Sequence, residues 1–118
     1  MADVQHHVLA AIPAETVNPR MTRRLFWGQR LMGALIELKA GASVPVHQHD
    51  NEQISYCISG AMRFILDGRE LVLRPGEVLV IPGGVPHGAE VLEDTVEMDF
   101  FTPPREDWIT GRDAYLRR

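Results

Sequence analysis

Along the second half of the chain, apolar residues come in short runs, and glycines and prolines break them every few positions. Runs of this kind bounded by turn residues predict an all-β sandwich or barrel. Met32–Lys39 predicts one strand, stopped by Ala40-Gly41, and Val44–His49 predicts a second. Gln53–Ser59 predicts a third, ending at Gly60. Met62–Leu66 and Leu71–Leu73 flank Asp67-Gly68, the signature of a type I′ hairpin, whose two central positions both take positive φ. Arg74-Pro75-Gly76-Glu77 marks a further turn. Val78–Ile81 is continuously apolar and reads as a buried strand. The Pro82–Pro86 loop then delivers His87. Val96–Phe101 alternates, with Val96, Met98 and Phe100 on one face and Glu97, Asp99 and Phe101 on the other.

The ends read differently. Thr102-Pro103-Pro104-Arg105-Glu106-Asp107-Trp108 is a loop entering a short helix, because proline and acidic residues suit a helix start. Residues 1–25 form an N-terminal arm or an edge strand, residues 30–101 a barrel, and residues 103–118 a helix and tail. Phe26 and Trp27 are either core or an exposed contact surface. With 118 residues the chain has room for one core. A net charge of −4 argues against a nucleic-acid surface. The single cysteine, Cys57, excludes an intrachain disulfide and a thiolate zinc site, and its parity makes it a small interior hydrophobe. Tyr56, of opposite parity, is expected in a sheet interface. No signal peptide or membrane-spanning run is evident, so a cytoplasmic setting is expected.

The histidines carry the chemistry. His47 and His49 stand two residues apart, so on a strand both imidazoles face one side. The same parity reaches Gln53, while Glu52 falls on the other, and a register slip would exchange the two. His87 supplies a third imidazole after the proline-glycine loop. Such a set suits a divalent transition metal: nickel, zinc, manganese or iron. If Gln53 is the fourth donor, every donor is neutral and the full metal charge remains to attract an anionic, chelating ligand. His6 and His7 are adjacent, face opposite ways and receive no role. Asp99 points either to solvent or inward. Arg105 is either a surface residue at a helix start or a two-pronged clamp for a carboxylate.

Two spaced motifs resemble a known family. Gly41, five residues, His47-Gln48-His49, three residues, Gln53, six residues and Gly60 resemble the first cupin motif. Gly76, five residues, Pro82, one residue, Gly84, two residues and His87 resemble the second. The usual glutamate is Gln53 here, and the asparagine that often closes the second motif is Val91. With Phe101-Thr102-Pro103-Pro104-Arg105-Glu106-Asp107-Trp108 added, the chain resembles the small single-domain cupins of the pectin-degradation, KdgF-like, type.

That resemblance implies an antiparallel double-stranded β-helix (the jelly-roll or cupin barrel) with a short C-terminal helix, assembling as a homodimer. It implies metal ligands His47, His49, Gln53 and His87, with Asp99 and Arg105 as catalytic residues and Phe101 and Arg105 as substrate-binding residues. It implies ring opening of 4,5-unsaturated monouronates released from pectin or alginate, a small anionic sugar substrate, and neither a nucleic acid nor a membrane as partner. The alternatives are another cupin metalloenzyme (oxygenase, isomerase or lyase) and a non-catalytic sugar- or ligand-binding module, since one fold hosts many functions. A purely structural barrel is disfavoured, because inward histidines without a metal are costly to bury.

Overall fold

The computed structural model describes residues 3–117, which form eight strands, a 3-10 turn at Leu9–Ala11 and one short α-helix. The strands are β1 (Glu15–Asn18), β2 (Met21–Trp27), β3 (Met32–Leu38), β4 (Ser43–His47), β5 (Glu52–Leu66), β6 (Arg69–Leu73), β7 (Val78–Ile81) and β8 (His87–Thr102). The helix α1 spans Glu106–Ile109. All pairings are antiparallel. Strands β5 and β8 pair along nearly their whole length, from Glu52 opposite Thr102 to Leu66 opposite His87. The late part of β8 and the early part of β5 lie in a sheet with β1, β2, β3 and β7. The early part of β8 and the late part of β5 lie with β4 and β6. The two long strands thus carry the chain between two facing sheets, which is the jelly-roll barrel.

A bulge lets β5 serve both sheets. Gln53, Ser55 and Cys57 point inward in its first half; Met62 and Phe64 do so in its second. The register shifts between Cys57 and Met62 reverse the parity, as one extra residue must. Gly60 sits in this bend at φ 90°, and a Cβ there would lie 2.3 Å from the Asp94 carbonyl oxygen. Side chains are excluded at that point, so Gly60 bends a continuous strand where the sequence pattern predicts two separate ones.

Other elements also differ from the pattern. Residues 15–27, mostly within the segment read as an arm or edge strand, form β1 and β2, and β2 pairs with β3 from Met21–Leu38 to Trp27–Met32. Strand β4 ends at His47, so His49 comes from the following turn. That turn is held by Gly84 N–H donating to the His49 carbonyl at 2.8 Å. His87 opens β8 rather than ending a loop. At Asp67-Gly68 only Gly68 takes positive φ, 78°, so the hairpin forms without type I′ geometry. Val78 and Val80 are exposed, because β7 is paired only to β5 and presents one face outward. Tyr56 is exposed beside Val78 on that outer face. Trp27 is exposed and Phe26 half-buried.

The barrel interior has two characters. Ile36, Leu38, Met62, Phe64, Leu73, Ala89 and Val91 form an apolar filling. Val91, where the resembled motif often has asparagine, is one of these core residues. Gln53, Ser55, Glu97, Asp99 and His87 are just as buried but polar. Each such polar residue costs stability unless its atoms find partners. Trp108 from α1 and Leu116 from the tail close over one end.

Candidate metal centre and acid pocket

Three imidazoles from separate places in the chain converge. Ring centroids of His47 and His87 are 4.5 Å apart, His49 and His87 4.9 Å, and His47 and His49 5.5 Å. One nitrogen from each of the three lies within 4.8 Å of the others. The hydrogen bonds fix which nitrogen is free. Nδ1–H of His47 donates to the Pro45 carbonyl at 2.8 Å, that of His87 to Val85 at 2.8 Å, and that of His49 to Asn51 at 3.0 Å. Each ring therefore carries its hydrogen on Nδ1 and presents a bare Nε2, the tautomer a metal ligand needs. Burial is the first cause lowering all three histidines from their usual range, His49 to about 4 with Arg105 next, so the imidazoles stay neutral at pH 7.

Gln53 completes the ring of donors. Its Nε2–H donates to Ser55 Oγ at 2.9 Å, which turns Oε1 toward the histidines. That Oε1 lies 3.1 Å from His49 Nε2. With the proton on Nδ1, this brings two acceptors face to face. The Nε2 of His87 is buried and has no hydrogen-bond partner among the described residues. A cation among these atoms would satisfy both anomalies, so the donor set fits a divalent metal. Glu52 is exposed, so the inward position is Gln53's.

Asp99 and Phe101 both point inward from β8, with exposures of 4% and 1%. Phe101 stands 5.9 Å from the His49 ring. Asp99 lies opposite Ser55 on β5, which hydrogen-bonds to it. Burial lifts Asp99 to about 6, while bonds from Ser55 and Glu97 and the charge of Arg105 pull the other way. Glu97, one inward position along, is held well above the usual carboxylate range by burial, then by the charge and hydrogen bond of Asp99. Burial thus keeps both carboxyls protonated to higher pH than free acids. Glu97 Oε2 and Asp99 Oδ1 are buried without partners among the described residues.

Arg105 is 2% exposed and directs its guanidinium into the same pocket. Its carbon lies 5.1 Å from the Phe101 ring centre and 4.7 Å from that of Trp108. Nε and Nη2 donate to the two oxygens of Asp107 at 2.9 and 2.8 Å, and Nη2 also donates to the Tyr115 hydroxyl at 2.7 Å.

The structure therefore brings His47, His49, Gln53, His87, Asp99, Phe101 and Arg105 to one pocket. His6 and His7 stay outside it, exposed, with His7 bonded to Gln5. Sequence reasoning passed over Glu97 and Tyr115. Glu97 had a signal in its shared parity with Asp99. Tyr115 had none, because its place depends on how the tail folds back.

Comparison with known proteins agrees with this picture. The Cupin domain family model matches residues 34–102. The pectin degradation protein KdgF of Dickeya dadantii is 28% identical over 100 residues, covering 82% of this chain and 91% of that protein. The structure of KdgF from Halomonas sp. superposes with a TM-score of 0.83 at 30% identity, covering 90% of this chain and 99% of that one. An RmlC-like cupin from Shewanella frigidimarina also gives 0.83, at 28% identity, covering 90% and 96%. The chain belongs to the cupin family and is similar to its KdgF members.

Proposed function

From its place among the cupins, we propose that this protein is a metal-dependent enzyme that opens the ring of 4,5-unsaturated monouronates from pectin or alginate breakdown. The observation that carries the reading is one pocket holding a neutral three-imidazole, one-amide donor set, a buried acid of raised pKa and a buried arginine. The names of the KdgF relatives point to pectin-derived substrates.

His47, His49 and His87 through Nε2 and Gln53 through Oε1 would hold one divalent ion: nickel, zinc, manganese or iron. Such an ion supplies Lewis-acid stabilisation of negative charge on substrate oxygen. Arg105 holds the substrate carboxylate, and Phe101 walls the sugar ring. Asp99, with a pKa of about 6, is largely ionised at pH 7 and takes the proton of the C1 hydroxyl. As C1 becomes a carbonyl, the bond from C1 to the ring oxygen breaks and its electron pair stays on that oxygen. The resulting enolate takes the proton back from Asp99 at C4, which leaves a ketone at C5. Product and substrate are isomers, so no further reactant is needed.

The test is loss of the C4=C5 ultraviolet absorbance after reconstitution with each of the four ions. Fast, metal-dependent loss is expected, and His87→Ala should abolish both bound metal and turnover. Metal bound without turnover would leave another cupin metalloenzyme (oxygenase, isomerase or lyase) or a ligand-binding module.

The same reading places the protein in the cytoplasm as a homodimer. Among the described residues no helix is long and apolar enough to cross a membrane. Tyr56, Val78, Val80 and Phe100 lie together on the outer face of β5, β7 and β8, an apolar surface that a second copy would cover. Sedimentation of Tyr56→Glu, expected to be monomeric, checks this.

A further inference from the structure

The free space in the pocket is about 40 Å³. That is room for roughly one water. Pockets for small organic ligands start at about 300 Å³. Tyr115 and Leu116 of the chain's own C-terminal tail line this space. The Tyr115 ring lies 4.7 Å from that of His47, and its hydroxyl accepts from Arg105 Nη2 at 2.7 Å and from Trp108 Nε1 at 3.4 Å. The tail is pinned on both sides of this residue. Asp113 is fully buried in an ion pair with Arg23 at 2.6 Å, and Asn18 Nδ2 donates to the Leu116 carbonyl at 2.8 Å. Arg117 binds Asp113 and Glu15, each at 2.7 Å.

The contacts of Arg105 show what Tyr115 occupies. A carboxylate pairs with a guanidinium through two N–H groups on one edge. The edge formed by Nε and Nη2 already holds Asp107. The other usable edge, formed by Nη1 and Nη2, carries the Tyr115 hydroxyl on Nη2, and Nη1 donates to no described residue. A neutral hydroxyl is a weaker partner than a carboxylate, whose charge-assisted bonds are roughly twice as strong. Any acid that reaches this edge gains by replacing it.

We infer that Tyr115 is a specificity-determining residue: its hydroxyl stands where the carboxylate of a small sugar acid binds Arg105, and the acid enters by displacing it. This rests on the reading of Arg105 as the carboxylate-binding residue and not on the ring-opening step. Displacement selects for a carboxylate, because a neutral sugar offers Arg105 nothing better than the phenol it would replace. The pinned tail confines the movement to the residues around Tyr115.

The experiment uses the full chain loaded with zinc and titrated with glucuronate, a saturated uronate that lacks the C4=C5 bond, and with glucose. Calorimetry gives the affinity. Emission of Trp108, isolated by Trp27→Phe, reports whether its Tyr115 contact breaks. Glucuronate is expected to bind and to shift Trp108 emission with the same saturation, and glucose is expected to do neither. Tyr115→Phe removes the competing hydroxyl and is expected to tighten glucuronate binding about 2- to 10-fold, the size of one net hydrogen bond. Tyr115→Met removes the same hydroxyl if the phenylalanine variant fails to fold. Unchanged or weaker binding in these variants, binding without an emission change, or equal binding of glucose would each overturn the inference. Failure of glucuronate to bind while an unsaturated uronate is turned over would overturn it and leave the proposed reaction standing. Expected binding without turnover of the unsaturated acid would do the reverse.

Discussion

Two buried charge clusters flank Trp108, and they are built to opposite ends. Arg23 and Arg105 both stack on this indole, at 4.5 and 4.7 Å from its ring centre. Around Arg23 the charges close into a circuit: Arg23 meets Glu15 and Asp113, and Arg117 meets the same two acids. Around Arg105 the pocket acids are left over. Arg105 is bonded to Asp107 and Tyr115, while Asp99 and Glu97 have each other and, among the described residues, no guanidinium in contact. Equal burial therefore has two consequences. Where every acid meets a cation, the cluster holds the tail onto the barrel. Where it does not, the acids keep raised pKa values and remain able to exchange protons near neutrality.

The two clusters also respond oppositely to pH. Burial pushes Glu15 up, but bonds to Arg117 and Arg23 bring it below its ordinary 4.5. Its contribution to stability is present above that value and is lost as pH falls through the lower folded value. Asp99 is raised from 3.8 to about 6. Between those values the unfolded chain has released a proton that the folded chain still holds, so this contribution is lost as pH rises through about 6.

Neutralising one acid in each cluster separates the two roles most strongly. Asp99→Asn removes the proton-transfer group and is expected to lower turnover by about 10²- to 10⁴-fold. Bound metal, measured by elemental analysis, should not change. The melting temperature of the metal-free protein should rise at pH 8, because an ionised carboxyl no longer has to be buried. Next in size, Asp113→Ala leaves Arg23 buried without its innermost partner and should cost about 3–5 kcal/mol in denaturant unfolding. If Asp99→Asn destabilised the protein and Asp113→Ala did not, the assignment of the two clusters would be reversed.

The sequence announced one cluster far better than the other. His47, His49 and His87 are legible because glycines and prolines at set offsets surround them, and those offsets encode turns that the backbone must make. The inward face of β8 is legible as a parity class, although parity alone could not say which class faces the interior. The direction follows from Ala34 and Ser55, which lie across the ladder from Asp99 and are themselves fully buried. The Arg23 circuit left no local trace. Its members Glu15, Arg23, Asp113 and Arg117 come from opposite ends of the chain and meet only when the tail folds across β1 and β2. The bend at Gly60 hid in the same way. A one-residue bulge reverses the hydrophobic parity, and in a sequence that reversal looks like the end of one strand and the start of another.

The smallest expected effect concerns the proton within the pocket cluster. If Glu97 is the protonated member and donates to Asp99, then Glu97→Gln supplies an amide N–H at the same place. The acidic limb of the pH–activity profile, which follows Asp99, should stay where it is. Glu97→Leu removes the donor and leaves the Ser55 hydroxyl and the charge of Arg105 to support the Asp99 carboxylate. The limb should then move to higher pH while the maximal rate on its plateau changes little. An ionised Glu97 would give the opposite pattern. Glu97→Gln would then remove a like charge, and the limb would move to lower pH. The direction of that shift, followed in parallel by carbon NMR of the Asp99 carboxyl so that it is read even in an inactive variant, decides whether the two acids share a proton or merely crowd each other. A shared proton would add to the Ser55 bond and the Arg105 charge in keeping Asp99 ionised at pH 7.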